Sequence, residues 1–308
     1  MNIRQMLYVL AVAEHRSYTR AAKELFISQP SLSVNVLKAE EELGTPIFDR
    51  TSVPLKLTYA GEVYVARARE ILDIKRQLDR EIQEITKGNR GKLKIGLSID
   101  RLPYLLPYLL KEYGREFPNI EVEATDLFSY EIKEAVMNRK IDFGVIPDCG
   151  TLEEELREDI VAEEITSEEI VLAGSKRFIR EDHLVAGMEN TVDVKKLEDV
   201  PLIMLTPESY YRRIVDDLYA ESNMSPQIAM FASCNLVAYR LATAGFGAAF
   251  VPRMVTQLLK EIQMTPIYSV TPSGLRWKLK VIYHRNLFMG VSEKGFIAAL
   301  RKASVDLL

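Results

Sequence analysis

Two cysteines in 308 residues, Cys149 and Cys234, are too few for a disulfide framework, and that scarcity fits a reducing compartment. No apolar run approaches the roughly 18 residues that a membrane-spanning helix needs. The opening segment, Met1 to Leu10, carries Arg4 within a short helical pattern and is followed by no small-residue cleavage site, so the expectation is a cytoplasmic protein without a secretory leader. The three histidines, His15, His183 and His284, stand alone, without metal-ligand spacing. Charge of neither sign dominates: 40 Lys and Arg stand against 44 Asp and Glu, a net of −4, so any nucleic-acid contact must rest on local placement of charge. Catalytic signatures are missing too. Ser98 sits in "GLSID", which is no strained nucleophile elbow, and "GFGAAF" lacks the third glycine of a dinucleotide loop. Neither an enzyme, nor a cofactor, nor a metal is expected.

What is present is enough apolar material, 47% of the chain, for the cores of two or three domains. The stretch "SYTRAAKELFISQPSLSVNVLKAEEELGTPIFDR", Ser17 to Arg50, reads as two short amphipathic helices back to back. Thr19 is expected to cap the first, over Arg20 to Leu25, where Ala21 and Ala22 admit close packing by another helix. Phe26-Ile27 make the turn. Ser28 is the expected N-cap of the second helix, Pro30 suits its first turn, and Leu43-Gly44 ends it. Leu32, Val36, Ala39 and Leu43 fall on one face, while Pro30, Ser31, Ser33, Val34, Leu37 and Lys38 point away from it. A polar, small free face of that kind suits the major groove; the alternative is an ordinary helix pair whose polar face meets solvent.

"PIFDRTSVPLKLT", Pro46 to Thr58, then reads as two short strands around a Thr51-Ser52-Val53-Pro54 tip flanked by Arg50 and Lys56, which makes a winged helix-turn-helix. Its basic field is thin. Arg4, Arg16, Arg20, Lys23, Lys38, Arg50 and Lys56 face Glu14, Glu24, Glu40, Glu41, Glu42 and Asp49, a net of +1. The run Glu40-Glu41-Glu42 opposes the helix dipole and would repel phosphate, so it is expected as a solvated helix end turned away from DNA.

On the wording "AAKELFISQPSLS", "EEELGTPIFDRT" and "LTYAG", with "FPNIEVE", "KIDFGVI" and "AGFGAAFVP" further on, the chain closely resembles the LysR-type transcriptional regulators over essentially its full length. Val34 and Leu37 stand where that family often carries basic residues. The resemblance implies a DNA-binding role for Ser28, Gln29, Pro30, Ser31, Ser33, Lys38, Arg50 and Lys56, and Val34 is added as an apolar contact for a thymine methyl. After a cap at Thr58, a helix is expected to Lys87, with Tyr64, Ala68, Ile71, Ile74, Leu78, Ile82 and Ile85 recurring every 3.5 residues on average as a coiled-coil seam. A monomer would instead bury that stripe on its own next domain. The resemblance implies dimerisation through this helix, a homodimer or homotetramer, double-stranded operator or promoter DNA as partner, and RNA polymerase as a further candidate.

"KGNRGK", Lys87 to Lys92, marks a domain boundary. Beyond it, strands and helices alternate as two βαβαβ units, the α/β class, with crossings expected near Glu164 to Glu168 and Ile267 to Thr271. The expected organisation is a winged helix-turn-helix over 1–58 and a linker helix and hinge over 59–90, followed by two Rossmann-like lobes. Lobe I takes 91–165 and 269–308, and lobe II takes 166–268. The lobes resemble the type II periplasmic-binding fold with which the family senses small molecules.

In open α/β lobes, ligands sit beyond the carboxyl ends of the strands. Those ends here are Ser98 to Arg101, Asp126 to Ser129, Pro147 to Cys149, Thr206 to Ser209 and Ser233 to Asn235. The candidate effector residues are Ser98, Ile99, Asp100, Thr206, Glu208, Ser209 and Phe231, with Leu102 beside Phe231 for apolar parts and a polar or carboxylate metabolite as ligand. Ser129 and Ser233 are taken as helix caps. Arg101 either selects the ligand or pairs across the cleft. The alternative to a metabolite sensor is a thiol-redox regulator using Cys149 and Cys234, and further off a solute-binding or enzymatic α/β protein.

Overall fold

The structure is a computed structural model, which describes residues 2–52, 54–87, 91–99, 101–148, 150, 152, 156–207, 209–258, 265–270 and 275–306. The chain divides into two compact units, Met1–Thr86 and Lys87–Leu308. Among the described residues no helix is long and apolar enough to cross a membrane. Residues 88–90, at the centre of the expected hinge, lie outside the described set.

The first unit packs helices α1 (Ile3–His15), α2 (Tyr18–Glu24) and α3 (Gln29–Leu43) against a two-stranded wing, β1 (Phe48–Asp49) and β2 (Lys56–Leu57), and then runs into α4 (Tyr59–Lys87). The wing strands pair antiparallel, Asp49 opposite Lys56. Helix α2 starts earlier than expected: Ser17, not Thr19, is its N-cap, and the Ser17 hydroxyl accepts from the amide of Arg20. At the far end of α3, Gly44 takes φ +75°, the left-handed turn that a residue without Cβ enters freely. Thr58 caps α4 by accepting from the amide of Gly61 at 2.9 Å. A Cβ on Gly61 would come 2.0 Å from the carbonyl oxygen of Ile47, so only glycine lets α4 start this close to the wing.

The core of this unit is Val9, Val12, Ala21, Leu32, Val36, Ala39 and Ile47 with their neighbours. Two expectations fail here. Leu43 is exposed, and Glu40 takes its place inside: its side chain is 7% exposed and accepts from the amides of Ile47 at 2.8 Å and Phe48 at 3.2 Å. A carboxylate that caps two buried backbone donors is stable inside, and a run of three glutamates does not reveal which one does so. The seam on α4 is also shorter than its periodicity implies. Tyr64 and Ala68 belong to this unit's own core, whereas Ile71, Ile74, Leu78 and Ile82 are exposed; the side chain of Ile85 lies outside the described residues.

The second unit carries one mixed sheet. Lobe I contributes the parallel strands β3 (Gly91–Ser98), β4 (Ile120–Leu127) and β5 (Phe143–Asp148), with helices α5 (Leu102–Glu116) and α6 (Ser129–Met137) between them. Lobe II contributes β7 (Leu202–Leu205), β8 (Ile228–Ala232) and β9 (Ala248–Pro252), with α7 (Tyr210–Glu221), α8 (Asn235–Thr243) and α9 (Arg253–Leu258). The two parallel sets are joined by the antiparallel pair β6 (Ile160–Gly174) and β11 (Leu275–His284), in the order β4-β3-β5-β11-β6-β9-β7-β8; β10 (Ile267–Ser269) also pairs with β6. The first crossing therefore lies inside one 15-residue strand, β6, which pairs β11 up to Ile170 and β9 from there on. Residues 271–274, where the second crossing was expected to end, are not described, and Ile267–Ser269 still pair within lobe II. Helix α10 (Val291–Asp306) returns to lobe I, where Phe296 stacks on Phe143 at 4.8 Å.

Candidate functional sites

The first site is the exposed end of the winged unit. Ser28 holds extended backbone angles while its hydroxyl accepts from the amide of Ser31 at 3.3 Å, so α3 begins with one donor capped and the positive end of its dipole outward. Gln29, Pro30, Ser31, Val34 and Lys38 are exposed and Ser33 is half-buried, with Leu32, Val36 and Ala39 buried behind them. The wing tip is organised by Asp49. Its carboxylate accepts from the hydroxyls of Thr51 and Ser52, both at 2.6 Å, and from the amide of Thr51, and these bonds, that from Ser52 foremost, hold its pKa down to about 2. Lys56 is exposed beside it.

Arg50 has a second role that the sequence did not show: its guanidinium donates to Glu40 at 2.8 Å, so it ties the wing to α3 while remaining half-exposed. Glu42, in the same acidic run, accepts from Gln5 of α1. The acidic run is thus partly a structural clamp.

The second site is a cleft between the two lobes, about 480 Å³ of void with its mouth included. Its wall includes five serines and threonines, Ser98 and Ser129 from lobe I and Thr206, Ser209 and Ser233 from lobe II. Helices α6 and α7 start at the cleft wall, and α8 starts two residues past Ser233. The first turns of α7 and α8 contain no acidic residue. Ile99, Leu127, Phe128 and Pro147 supply apolar wall, and Tyr211 and Trp277 meet at a ring separation of 3.7 Å on another side. Lys133 of α6 bonds the hydroxyl of Tyr210 on α7, so a contact spans the two lobes beside the cleft.

Of the expected effector residues, Ser98, Ile99, Thr206 and Ser209 come together here, while Asp100 and Glu208 lie outside the described residues. Phe231 does not belong to the cleft. It sits exposed on the edge strand β8, with the Arg212 guanidinium 5.7 Å over its ring, and Leu102 packs on the core of lobe I. An edge strand has solvent beside it, which an apolar letter in a strand pattern cannot reveal. Ser129 and Ser233 are not caps: the caps of α6 and α8 are Phe128 and Cys234, neither of which makes a cap bond through its own side chain, the Phe128 amide donates instead to Glu131 at 2.8 Å, and both serines line the cleft. The sequence did not single out Tyr210, Tyr211 and the chain's single tryptophan, Trp277, which also line the cleft, although Tyr210 directly follows the expected effector residue Ser209.

Arg101 is not among the residues that line the cleft and takes the ion-pairing role of its two expected alternatives. It is 2% exposed and forks onto Glu168 of β6 at 2.7 and 2.6 Å, and Trp277 donates to the same carboxylate at 2.9 Å. Burial would push the Glu168 pKa up; the Arg101 charge and hydrogen bonds, with that from Trp277, bring it below the ordinary carboxylate range. The pair fastens the start of α5 to the crossing strand and fixes one wall of the cleft. Asp148 is likewise structural, paired with Lys280 at 2.8 Å. Cys234 is a half-buried free thiol, and Cys149 lies outside the described residues. Among the described residues no group of His, Cys, Asp and Glu is placed to hold a metal ion.

Comparison with known proteins assigns a family to both parts of the chain. Residues 3–62 match the family described as bacterial regulatory helix-turn-helix protein, lysR family, and residues 86–304 match the LysR substrate binding domain. The chain belongs to the LysR family of transcriptional regulators. This LysR-family chain is 30% identical to the HTH-type transcriptional regulator YcgK of Bacillus subtilis (strain 168), itself uncharacterised, over 98% of this chain and 95% of the relative. Its fold is similar to a full-length OxyR variant from Pseudomonas aeruginosa, with a TM-score of 0.74, 20% identity and coverage of 99% and 96% of the two chains. It is also similar to full-length CbnR complexed with its target DNA, with a TM-score of 0.63, 22% identity and coverage of 98% and 100%. The regulator thus combines a winged DNA-binding unit with an effector-binding unit of two Rossmann-like lobes, the type II periplasmic-binding arrangement.

Proposed function

We propose that the effector is a small anion with an apolar body, a carboxylate metabolite, held in the interlobe cleft by hydroxyls and helix N-termini rather than by an ion pair. The observation that carries this is the lining: five serines and threonines beside three helix starts and, among the described residues, no charged side chain. Neutral donors at the positive ends of helices favour one negative charge, and Tyr211 with Trp277 offers a flat surface to the rest of the ligand. A ligand touching both lobes favours the lobe angle that it fits, and this differential affinity is what shifts DNA binding.

At the other end, Gln29, Ser33 and Val34 read base edges from α3, and Ser28, Pro30, Ser31, Lys38, Arg50 and Lys56 set the helix and wing on the backbone. The exposed stripe Ile71, Ile74, Leu78 and Ile82 pairs two copies, which suits a two-fold operator, and dimers pair further into a tetramer. Such a protein works in the cytoplasm, where DNA and RNA polymerase are within reach, and carries out no catalysis.

Two measurements test this reading. Gln29→Ala is expected to weaken binding to a selected operator by ~1–3 kcal/mol with little change on unrelated DNA. In thermal unfolding of the full chain with benzoate and pyruvate as probe monocarboxylates, at least one is expected to raise the unfolding temperature, and Ser98→Ala to erase that rise while leaving effector-free DNA affinity intact. A rise that survives both Ser98→Ala and Thr206→Val places the anion elsewhere.

A further inference from the structure

The most exposed large apolar side chain among the described residues is Phe26, at 95%. It sits in the turn between α2 and α3, with φ at +54°, a left-handed conformation that glycine or asparagine ordinarily takes after a helix end. The turn itself does not need a phenyl group. It is closed by backbone bonds from the Phe26 amide to the Lys23 carbonyl and from the Ile27 amide to the Ala22 carbonyl, and Ile27 packs on the core of the unit. A bulky ring held in strained backbone and wholly in water gains nothing within the chain.

Its surroundings say what covers it. Phe26 lies two residues before the Ser28 cap and three before Gln29, so it adjoins the helix end that enters the major groove. Where a recognition helix enters by its N-terminus, the residues just before it pass the sugar-phosphate wall of that groove. Arg20 and Lys23 of α2 are both exposed on the same turn, and the one carboxylate of that helix, Glu24, is bonded to His15. The local charge is therefore positive, as a phosphate wall requires.

We propose that Phe26 is a DNA-backbone contact, its ring packed on deoxyribose faces at the edge of the groove while Arg20 and Lys23 meet the adjoining phosphates. This rests on the placement of α3 in the groove proposed above. The contact is indifferent to sequence and carries no charge, so it adds affinity without altering selectivity or salt dependence.

The test compares full-length Phe26→Asn and Phe26→Tyr with the parent on two DNAs: the tightest duplex recovered from a random-sequence library with the parent protein, and sheared genomic DNA. Asparagine suits the left-handed turn, so Phe26→Asn is expected to unfold at the same or a higher temperature. It is nevertheless expected to bind both DNAs about tenfold more weakly, equivalent to about 1.4 kcal/mol, with an unchanged slope of affinity against salt. Phe26→Tyr, which keeps the ring, is expected to stay within about twofold of the parent. Undiminished affinity of Phe26→Asn overturns the proposal. So does a loss confined to the selected duplex, a loss matched by a lower unfolding temperature, or one shared by Phe26→Tyr. Gln29→Ala measured alongside separates the two readings: if it also leaves selectivity untouched, it is the placement of α3 that has failed and not the role of Phe26 alone.

Discussion

Replacing Arg101 with methionine tests the buried fork at the lobe crossing. The two side chains are 2% and 3% exposed, so solvent screens the pair very little. Met fills much of the arginine volume but leaves the Glu168 carboxylate in an apolar site with the Trp277 N–H as its remaining partner among those identified above. Breaking a buried pair by removing one member costs about 3–5 kcal/mol, because the other charge must stay unpaired or take up a proton. For a unit of this length, about 2–4 °C per kcal/mol makes the loss roughly 6–20 °C in unfolding temperature. The double variant Arg101→Met with Glu168→Leu removes both charges and is expected to recover most of that loss, since well-packed apolar replacements of buried pairs are often neutral. Calorimetry of the full chain, following the larger transition, measures both. The reasoning is refuted by an Arg101→Met melt within about 2 °C of the parent, less than roughly 1 kcal/mol for a unit this size, or by a double variant no more stable than the single.

Glu40→Ala should destabilise the winged unit by about 2–5 kcal/mol, chiefly by leaving the buried amides of Ile47 and Phe48 without acceptors; a melt of residues 1–86 unchanged by the substitution would show that those bonds carry no weight. Ile74→Glu puts a charge in the exposed stripe of α4 and is expected to yield monomers in sedimentation velocity, with cooperative DNA binding lost; a parent protein already monomeric at micromolar concentration would contradict the seam. Glu168, Glu169 and Asp148 all have folded pKa values below the ordinary carboxylate range, Glu168 and Asp148 against the opposing pull of burial and Glu169 chiefly through its hydrogen bond from Arg253. Their stabilisation is therefore complete above the unfolded carboxylate pKa and is lost as pH falls through the lower folded values. The two-lobed unit should unfold progressively more easily below about pH 5, and a stability flat from pH 6 down to pH 3 would overturn this assignment.

Local chemistry was legible in the letters because it acts over a few residues. Ser28 before Gln29-Pro30, Gly44 after Leu43, Thr58 before Gly61, and the alternation of apolar strands with amphipathic helices each state a backbone preference that the fold then keeps. From these alone came the winged helix-turn-helix, the long linker helix, the two lobes and the strand ends where a ligand would sit. Which partner a charged or apolar side chain finds across the chain is a matter of tertiary distance, and there the letters were silent. Glu40 reads like Glu41 and Glu42 until β1 brings two amides to it, and Arg101 reads equally as a ligand contact or an ion-pair partner until β6 delivers Glu168. Phe231 reads as cleft lining until its strand proves to be an edge, while Ser129 and Ser233 read as caps until Phe128 and Cys234 prove to hold the cap positions. Helix and strand periods record which face is apolar, but burial of a charge is decided by whether an opposite charge or a donor lies within about 3 Å, and only the folded chain sets that distance.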